Sequence, residues 1–419
     1  MKKAARTGRL VGLRIRGWPL GFQLEVEKLG IEIKSAHELY RNAARLLIWS
    51  FFLLIFSRVL EFFAFSYESP VRPVAVYAAI AGGFLLLSVK RIQIDPFLCL
   101  LGIIVAIGFW QYRGEGVVEF PSELLSDVQP RPSHISYAVW PLLNLVAAVG
   151  LFSLVNEEDF QKTVRDAAFA TLCLLMASMI VDFFWPHIFH DIPNGRASGL
   201  AKNPNTAAMM AATLAALMLP RTGERLPYQT WISIGIAVLA AIMSGSRSGQ
   251  LAVGVVAATG LWTHCQYHPS RRAIIGWGAV LCGLCIAIVY FQMVRIDSSN
   301  LRLHAAGIFL DAALGNPSGF GTGATNDYVT GPHNTFLKLM VESGVVSAVL
   351  MLLLMGYISY SAYSSRSPRS VAVVSVAWIA VLFSHTALVE PLAMAAVAIT
   401  AVKGVALVSL RRDEISANP

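Results

Sequence analysis

The chain has 419 residues, of which 56 % are hydrophobic and only 14 % charged, with a mean hydropathy of +0.60. A water-soluble domain of this length needs more charge to cover its surface, so composition argues against one. The net charge of +8 does not mark a nucleic-acid partner either: no basic stretch is interleaved with aromatics, and most Lys and Arg sit in short segments between apolar blocks.

Residues 1–43 form a basic N-terminal segment. Within it, residues 10–33 alternate apolar and polar (Leu13-Arg14-Ile15-Arg16, then Leu24-Glu25-Val26-Glu27), which fits a small β-hairpin or an interfacial flap. The first apolar run begins only near Leu46, so no signal peptide is expected. Roughly 20 apolar residues cross a bilayer. By that measure spans are predicted near 45–66, 73–89, 94–112, 134–155, 166–186, 205–220, 230–246, 248–265, 273–292, 334–360, 371–388 and 391–410. The first carries Arg58 and Glu61 one turn apart, able to pair on an inward face. Residues 44–410 thus read as a transmembrane domain, with a large outside loop at 293–333 and a short tail at 411–419. The expected fold class is an all-α polytopic membrane protein of about twelve transmembrane helices.

Lys and Arg fix the orientation. Nine lie in residues 1–43, and Lys90/Arg91, Lys162/Arg165, Arg221/Arg225, Arg271/Arg272, Arg366/Arg369 and Arg411/Arg412 add twelve in alternate segments. The opposite side holds eight: Arg72, Arg113, Arg131, Arg196, Lys202, Arg247, Arg295 and Arg302. The imbalance predicts an inner-membrane protein with both termini cytoplasmic.

Cysteine adds little. Cys99, Cys173, Cys282 and Cys285 lie within apolar runs and Cys265 ends another; Cys282-x-x-Cys285 lacks the second pair or redox setting that would make it chemical. His187, His190 and Asp191 could ligate a metal, but no partner cluster with ligand spacing stands elsewhere. No metal and no cofactor are expected. No Ser has a nucleophile-elbow setting. Asp182, Asp297 and Asp311 are available, yet the sequence does not pair them.

The outside cations need explaining. Arg247 sits in Met243-Ser244-Gly245-Ser246-Arg247-Ser248-Gly249, a tight turn between two apolar spans. A cation fixed at that depth either snorkels to head groups or faces an anion, and a guanidinium matches phosphate oxygens in a bidentate fork. Leu301 to Leu310 reads as a short surface helix carrying Arg302, ended by Gly315-Asn316-Pro317. The glycines of Gly319-Phe320-Gly321-Thr322-Gly323 suit a tight turn or a close approach to a ligand. His333 stands at the outer start of a span, where the helix dipole and nearby Arg favour a neutral imidazole. It reads as a capping histidine or as a general base. Asn334, Lys338 and Glu342 are four apart, so one helix face carries them inward.

These pieces resemble a family. Ser246-Arg247-Ser248-Gly249-Gln250-Leu251 is similar to the S-R-x-x-x-L turn of the O-antigen ligase and polymerase superfamily. His333-Asn334, nine residues, then Gly344 looks like its signature at the end of the large periplasmic loop. Arg196-Ala-Ser-Gly199 with Asn203-Pro204-Asn205 is similar to the segment found two spans earlier, and Arg302 before N-P-x-G-x-G matches the second loop arginine. Ser347 stands where ligases often have Thr. The resemblance covers about residues 165–360. It implies a polyprenyl-phosphate-dependent (GT-C-like) glycosyltransferase architecture, taking a glycan from undecaprenyl diphosphate to an acceptor hydroxyl on a lipid A core, another lipid, a protein or a glycan chain. The implied roles are His333 as the base, Arg247 and Arg302 on the donor diphosphate in place of a metal, and Arg196 positioning the donor or steadying the loop, with inversion at the anomeric carbon. A repeat-unit polymerase of the same superfamily is the near alternative. A transporter or flippase for an anionic lipid-linked substrate, or a membrane scaffold, are alternatives of other classes. Against transport stand the lack of a two-fold repeat and the one-sided Arg cluster.

Overall fold

The computed structural model describes residues 33–55, 71–89, 95–112, 136–154, 158–185, 196–201, 203–221, 224, 226–267, 296–325, 332–384, 388 and 391–400. The chain divides into two units, Met1–Ala44 and Arg45–Pro419. The described residues form thirteen α-helices and no strand. They are α1 (Ile33–Leu54), α2 (Val71–Ser88), α3 (Pro96–Trp110), α4 (Ser136–Leu154), α5 (Glu158–Phe184), α6 (Pro204–Leu217) and α7 (Tyr228–Ser244). There follow α8 (Arg247–Tyr267), α9 (Ile296–Gly315), α10 (Thr335–Ser343), α11 (Val345–Ser365), α12 (Pro368–Phe383) and α13 (Pro391–Thr400). The expected hairpin at 10–33, the pair Arg58 and Glu61, the span at 273–292 and the tail lie outside the described residues.

Helix starts follow local chemistry. Asp95, Asn203 and Ser367 each cap a helix whose first residue is proline, and each side-chain oxygen accepts an orphan backbone N–H. Gly245 ends α7 in the left-handed conformation at φ 58°.

Among the described residues, two stretches, Phe160–Phe184 and Val345–Ser365, are long and apolar enough to cross a membrane. In α11 the apolar character runs all round: Met351, Leu354, Met355 and Ile358 are buried, while Val346, Val349, Leu352 and Leu353 face outward. A helix apolar on every side suits lipid or a large core, not a water-facing surface.

The packing centre is α6, which contacts α5, α7, α8, α12 and α13. Twelve of its residues are buried, among them six alanines. Small side chains let neighbouring helices close in. At Gly249 of α8 a Cβ would fall 2.1 Å from the Ala208 Cβ of α6, so only glycine fits that crossing.

Two elements differ from the spans read in the sequence. The first helix starts at Ile33, well before residue 45. The apolar stretch at 334–360 is two helices, broken at Gly344, whose φ of 86° and ψ of 168° no helix accommodates.

Candidate functional site

Arg196 and the Ser246-Arg247 turn meet at one end of the bundle. Nε of Arg196 donates to the Ser244 carbonyl at 2.6 Å and Nη2 donates to Asn205 Oδ1 at 2.9 Å. The Ala197 N–H donates to the Met243 carbonyl at 3.0 Å. Arg196 thereby ties the C-terminus of α7, where orphan carbonyls carry negative dipole, to the N-terminus of α6. Between the two expected roles for Arg196, this geometry favours steadying the loop. In the turn, Ser246 Oγ accepts the Gly249 N–H at 3.2 Å and so caps α8, leaving Arg247 as its first residue. A guanidinium at a helix N-terminus adds its charge to the positive end of the dipole, a setting that favours an anion.

Asp182, unpaired in the sequence reading, holds this corner from beneath. It is buried, and its Oδ2 accepts the N–H of Ser198 at 2.7 Å, the N–H of Gly199 at 3.0 Å and the Ser198 hydroxyl at 3.3 Å. Gly199 is glycine for a steric reason: φ is +55°, and a Cβ would lie 2.4 Å from Ser178 Oγ. The Arg196-Ala-Ser-Gly199 motif is therefore a clamp on the end of α5.

The His333 segment hangs from the end of α12. Asn334 caps α10 by accepting the Leu337 N–H at 3.1 Å and donates through Nδ2 to the Leu382 carbonyl at 3.3 Å. Thr335 Oγ1 donates to the Ser384 carbonyl at 2.6 Å. His333, half-buried, has φ 44°, one of two non-glycine residues with positive φ among those described. Such a conformation is sparsely populated by L residues and held in place by its surroundings.

Lys338 and Glu342 do share an inward face of α10: Nζ and Oε1 are 3.7 Å apart, with both side chains largely buried. Glu342 also accepts the N–H of Thr325 at 3.2 Å and its hydroxyl. The pair lines a cleft between α3, α4 and α10, with Val105, Phe109, Pro141 and Leu339 as its apolar wall. Glu342 thereby fastens Thr325 beside the cleft, a partnership that no sequence spacing signals.

The glycine run approaches protein backbone. Phe320 and Gly321 donate their N–H groups to the Val341 and Glu342 carbonyls at 2.8 and 2.9 Å, and the Val345 N–H donates to the Pro317 carbonyl at 3.0 Å. These bonds replace the ones that a continuous helix would have made across Gly344. A Cβ on Gly319 would lie 2.6 Å from the Gly344 nitrogen, and one on Gly344 would lie 2.7 Å from the Pro317 oxygen. N-P-x-G-x-G and H-N-x9-G are thus two halves of one clasp. Gln111, beyond the end of α3, pins its other side, donating to Ser318 O at 3.2 Å and accepting from Thr322 N at 3.2 Å.

Relative position follows from helix direction. Arg369, near the start of α12, donates to Leu219 O just past the end of α6. The two helices pack against each other and run in opposite senses, so Leu382 and Ser384 stand at the end where α6 begins. His333, Asn334, Arg196 and Arg247 therefore share one end of the bundle. Arg302 lies in α9, which packs on α10; its side chain, with those of Asp297, His187 and His190, falls outside the described residues. No family model matches the chain, and no curated protein or solved structure matches it.

Proposed function

We propose that the chain is a multi-pass membrane glycosyltransferase of the O-antigen ligase kind, with about twelve spans and both termini cytoplasmic. It moves a glycan from undecaprenyl diphosphate to an acceptor hydroxyl at the periplasmic face. The observation that supports this best is the gathering of Arg196, the Arg247 turn and the His333 segment at one end of the helices.

In the reaction proposed, His333 accepts the proton of the acceptor hydroxyl as its oxygen attacks the anomeric carbon. The bond from that carbon to the diphosphate breaks with inversion, and the diphosphate leaves with the electron pair. Arg247 and Arg302 neutralise the growing negative charge. Arg196 keeps α6 and α7 in register beside them. A polymerase would use the same groups and differ only in its acceptor, the next lipid-linked repeat unit.

The test is transfer of labelled glycan by purified, reconstituted protein. Turnover is expected to persist in excess EDTA. Arg247→Lys is expected to lose about tenfold or more in rate at low donor concentration, since Lys keeps the charge but loses the fork. Abolition by chelator with rescue by Mg²⁺ would put the charge neutralisation on a metal. Wild-type rates for Arg247→Lys would remove the bidentate contact.

Topology has its own check. Reporter fusions after Arg412 are expected to read cytoplasmic and those within 316–325 periplasmic. The reverse pattern would place the polar end on the wrong side of the membrane for a periplasmic transfer.

A further inference from the structure

The cleft between α3, α4 and α10 carries polar groups that neither the clasp nor the proposed proton transfer uses. Glu342 is 4 % exposed. Each of its described contacts falls on Oε1: the Thr325 N–H, the Thr325 hydroxyl and the Lys338 ammonium. Among the described residues nothing donates to Oε2. Ser343, 6 % exposed, follows Glu342 in the lining of the cleft, and its hydroxyl makes no hydrogen bond among the described residues. Buried polar groups normally find partners. Here two of them, side by side in a cleft wall, have unused capacity.

The shape and charge of the cleft narrow the occupant. It offers about 560 Å³ of space, part of it open to the outside, the size of a small-molecule site and far more than one water fills. Its charges cancel, because the Lys338 ammonium lies 3.7 Å from Glu342 Oε1. An anion attracted by one is repelled by the other. A bare acyl chain would suit Phe109 and Pro141 in the wall but leave Oε2 and the Ser343 hydroxyl unmet, which is unfavourable. The occupant has to bring hydroxyl groups to the polar side and an apolar face to the other. A pyranose ring does both.

We infer that this cleft seats the sugar ring of a glycan acceptor, with Glu342 Oε2 accepting from one ring hydroxyl and the Ser343 hydroxyl bonding to another. The lining reaches Thr335, the first residue of α10, two positions after His333, so a sugar held there lies beside the segment that carries the proposed base. As the acceptor subsite it rests on the transferase reading. As a sugar site it stands on α3, α4 and α10 alone.

The experiment is saturation-transfer NMR on the purified full chain in phosphatidylcholine nanodiscs, free of glycoside detergent. The probes are the methyl glycosides of glucose, galactose, mannose and N-acetylglucosamine at millimolar concentration. Wild type is expected to bind at least one of them saturably. Ser343→Ala should weaken that binding about fivefold, the loss of one neutral hydrogen bond, and leave the unfolding midpoint unchanged. Glu342→Gln should weaken it about tenfold, since its amide can still accept from Thr325 but no longer presents a second oxygen. If Glu342→Gln does not fold, Ser343→Ala decides alone. In the transfer assay the bound glycoside should compete with the acceptor and not with the lipid-linked donor, and both variants should raise the KM for acceptor only. No binding of any of the four probes, or equal binding by Ser343→Ala, would overturn the site. Competition with the donor alone would seat the donor's sugar there and overturn the acceptor assignment. Binding that both variants weaken, without transfer to any acceptor, would keep the sugar site and remove the transferase reading instead.

Discussion

Replacing His333 by alanine should lower glycan transfer by about 10²–10⁴, the usual worth of a general base, while the protein still inserts and binds the lipid-linked donor. The expectation rests on three observations. His333 directly precedes the cap of α10, it shares an end of the bundle with Arg196 and Arg247, and it holds a positive φ. His333→Gln separates the classes of function. An amide can hydrogen-bond but cannot take the proton, so a transferase should fail with Gln nearly as badly as with Ala. A transporter, in which the side chain only touches its cargo, should keep much of its flux. Near-normal transfer by a well-folded His333→Ala protein would remove the base assignment. No transfer by the wild type with any acceptor offered would favour transport.

Gly344→Ala should destabilise the protein by about 3 kcal/mol, because its φ and ψ lie in a region almost reserved for glycine and the new methyl meets carbonyl oxygens. The oxygens are those of Pro317 at 2.7 Å and Ser318 at 2.9 Å. In detergent the unfolding midpoint should fall by roughly 5 °C. Gly356 is the control: a Cβ there meets nothing within 4 Å, so Gly356→Ala should leave the midpoint unchanged or slightly higher. Equal behaviour of the two variants would show that the clasp between residues 317–321 and the α10–α11 junction carries little of the stability.

What the sequence discloses and what it conceals divide along physical lines. Apolar runs place helices well, because burial and lipid both select for them; eleven of the predicted spans fall on described helices. Hydropathy is blind to the break at Gly344, since the stretch stays apolar on both sides and the interruption is made by amides from residues 320–321. The inward face of Lys338 and Glu342 was legible from four-residue spacing. The partners that fix its meaning were not: Thr325 is distant in sequence from Glu342, as is Ser198 from Asp182. Arg369 was read only as one of a pair of cytoplasmic charges, because burial of a cation at a helix start leaves no periodic trace. Arg196 was recognised by its motif, but whether it contacts ligand or protein depends on Ser244 O and Asn205, which only folding brings within reach.

The shortness of α6 has a further consequence. Fourteen helical residues extend about 21 Å, against a hydrocarbon layer of about 30 Å, and α5 beside it is nearly twice as long. Set in a bilayer, α6 would leave its two polar ends short of both surfaces, while α5 beside it is long enough to carry on. Arg196, Asn205 and Arg247, gathered at its first turn, would then sit below the head-group level. The field of a cation recessed in a low-dielectric layer is screened less than that of one at the surface. A polyanionic head group drifting along the membrane would be drawn in before it touched any side chain, and raising the salt concentration should slow its capture far more than its release.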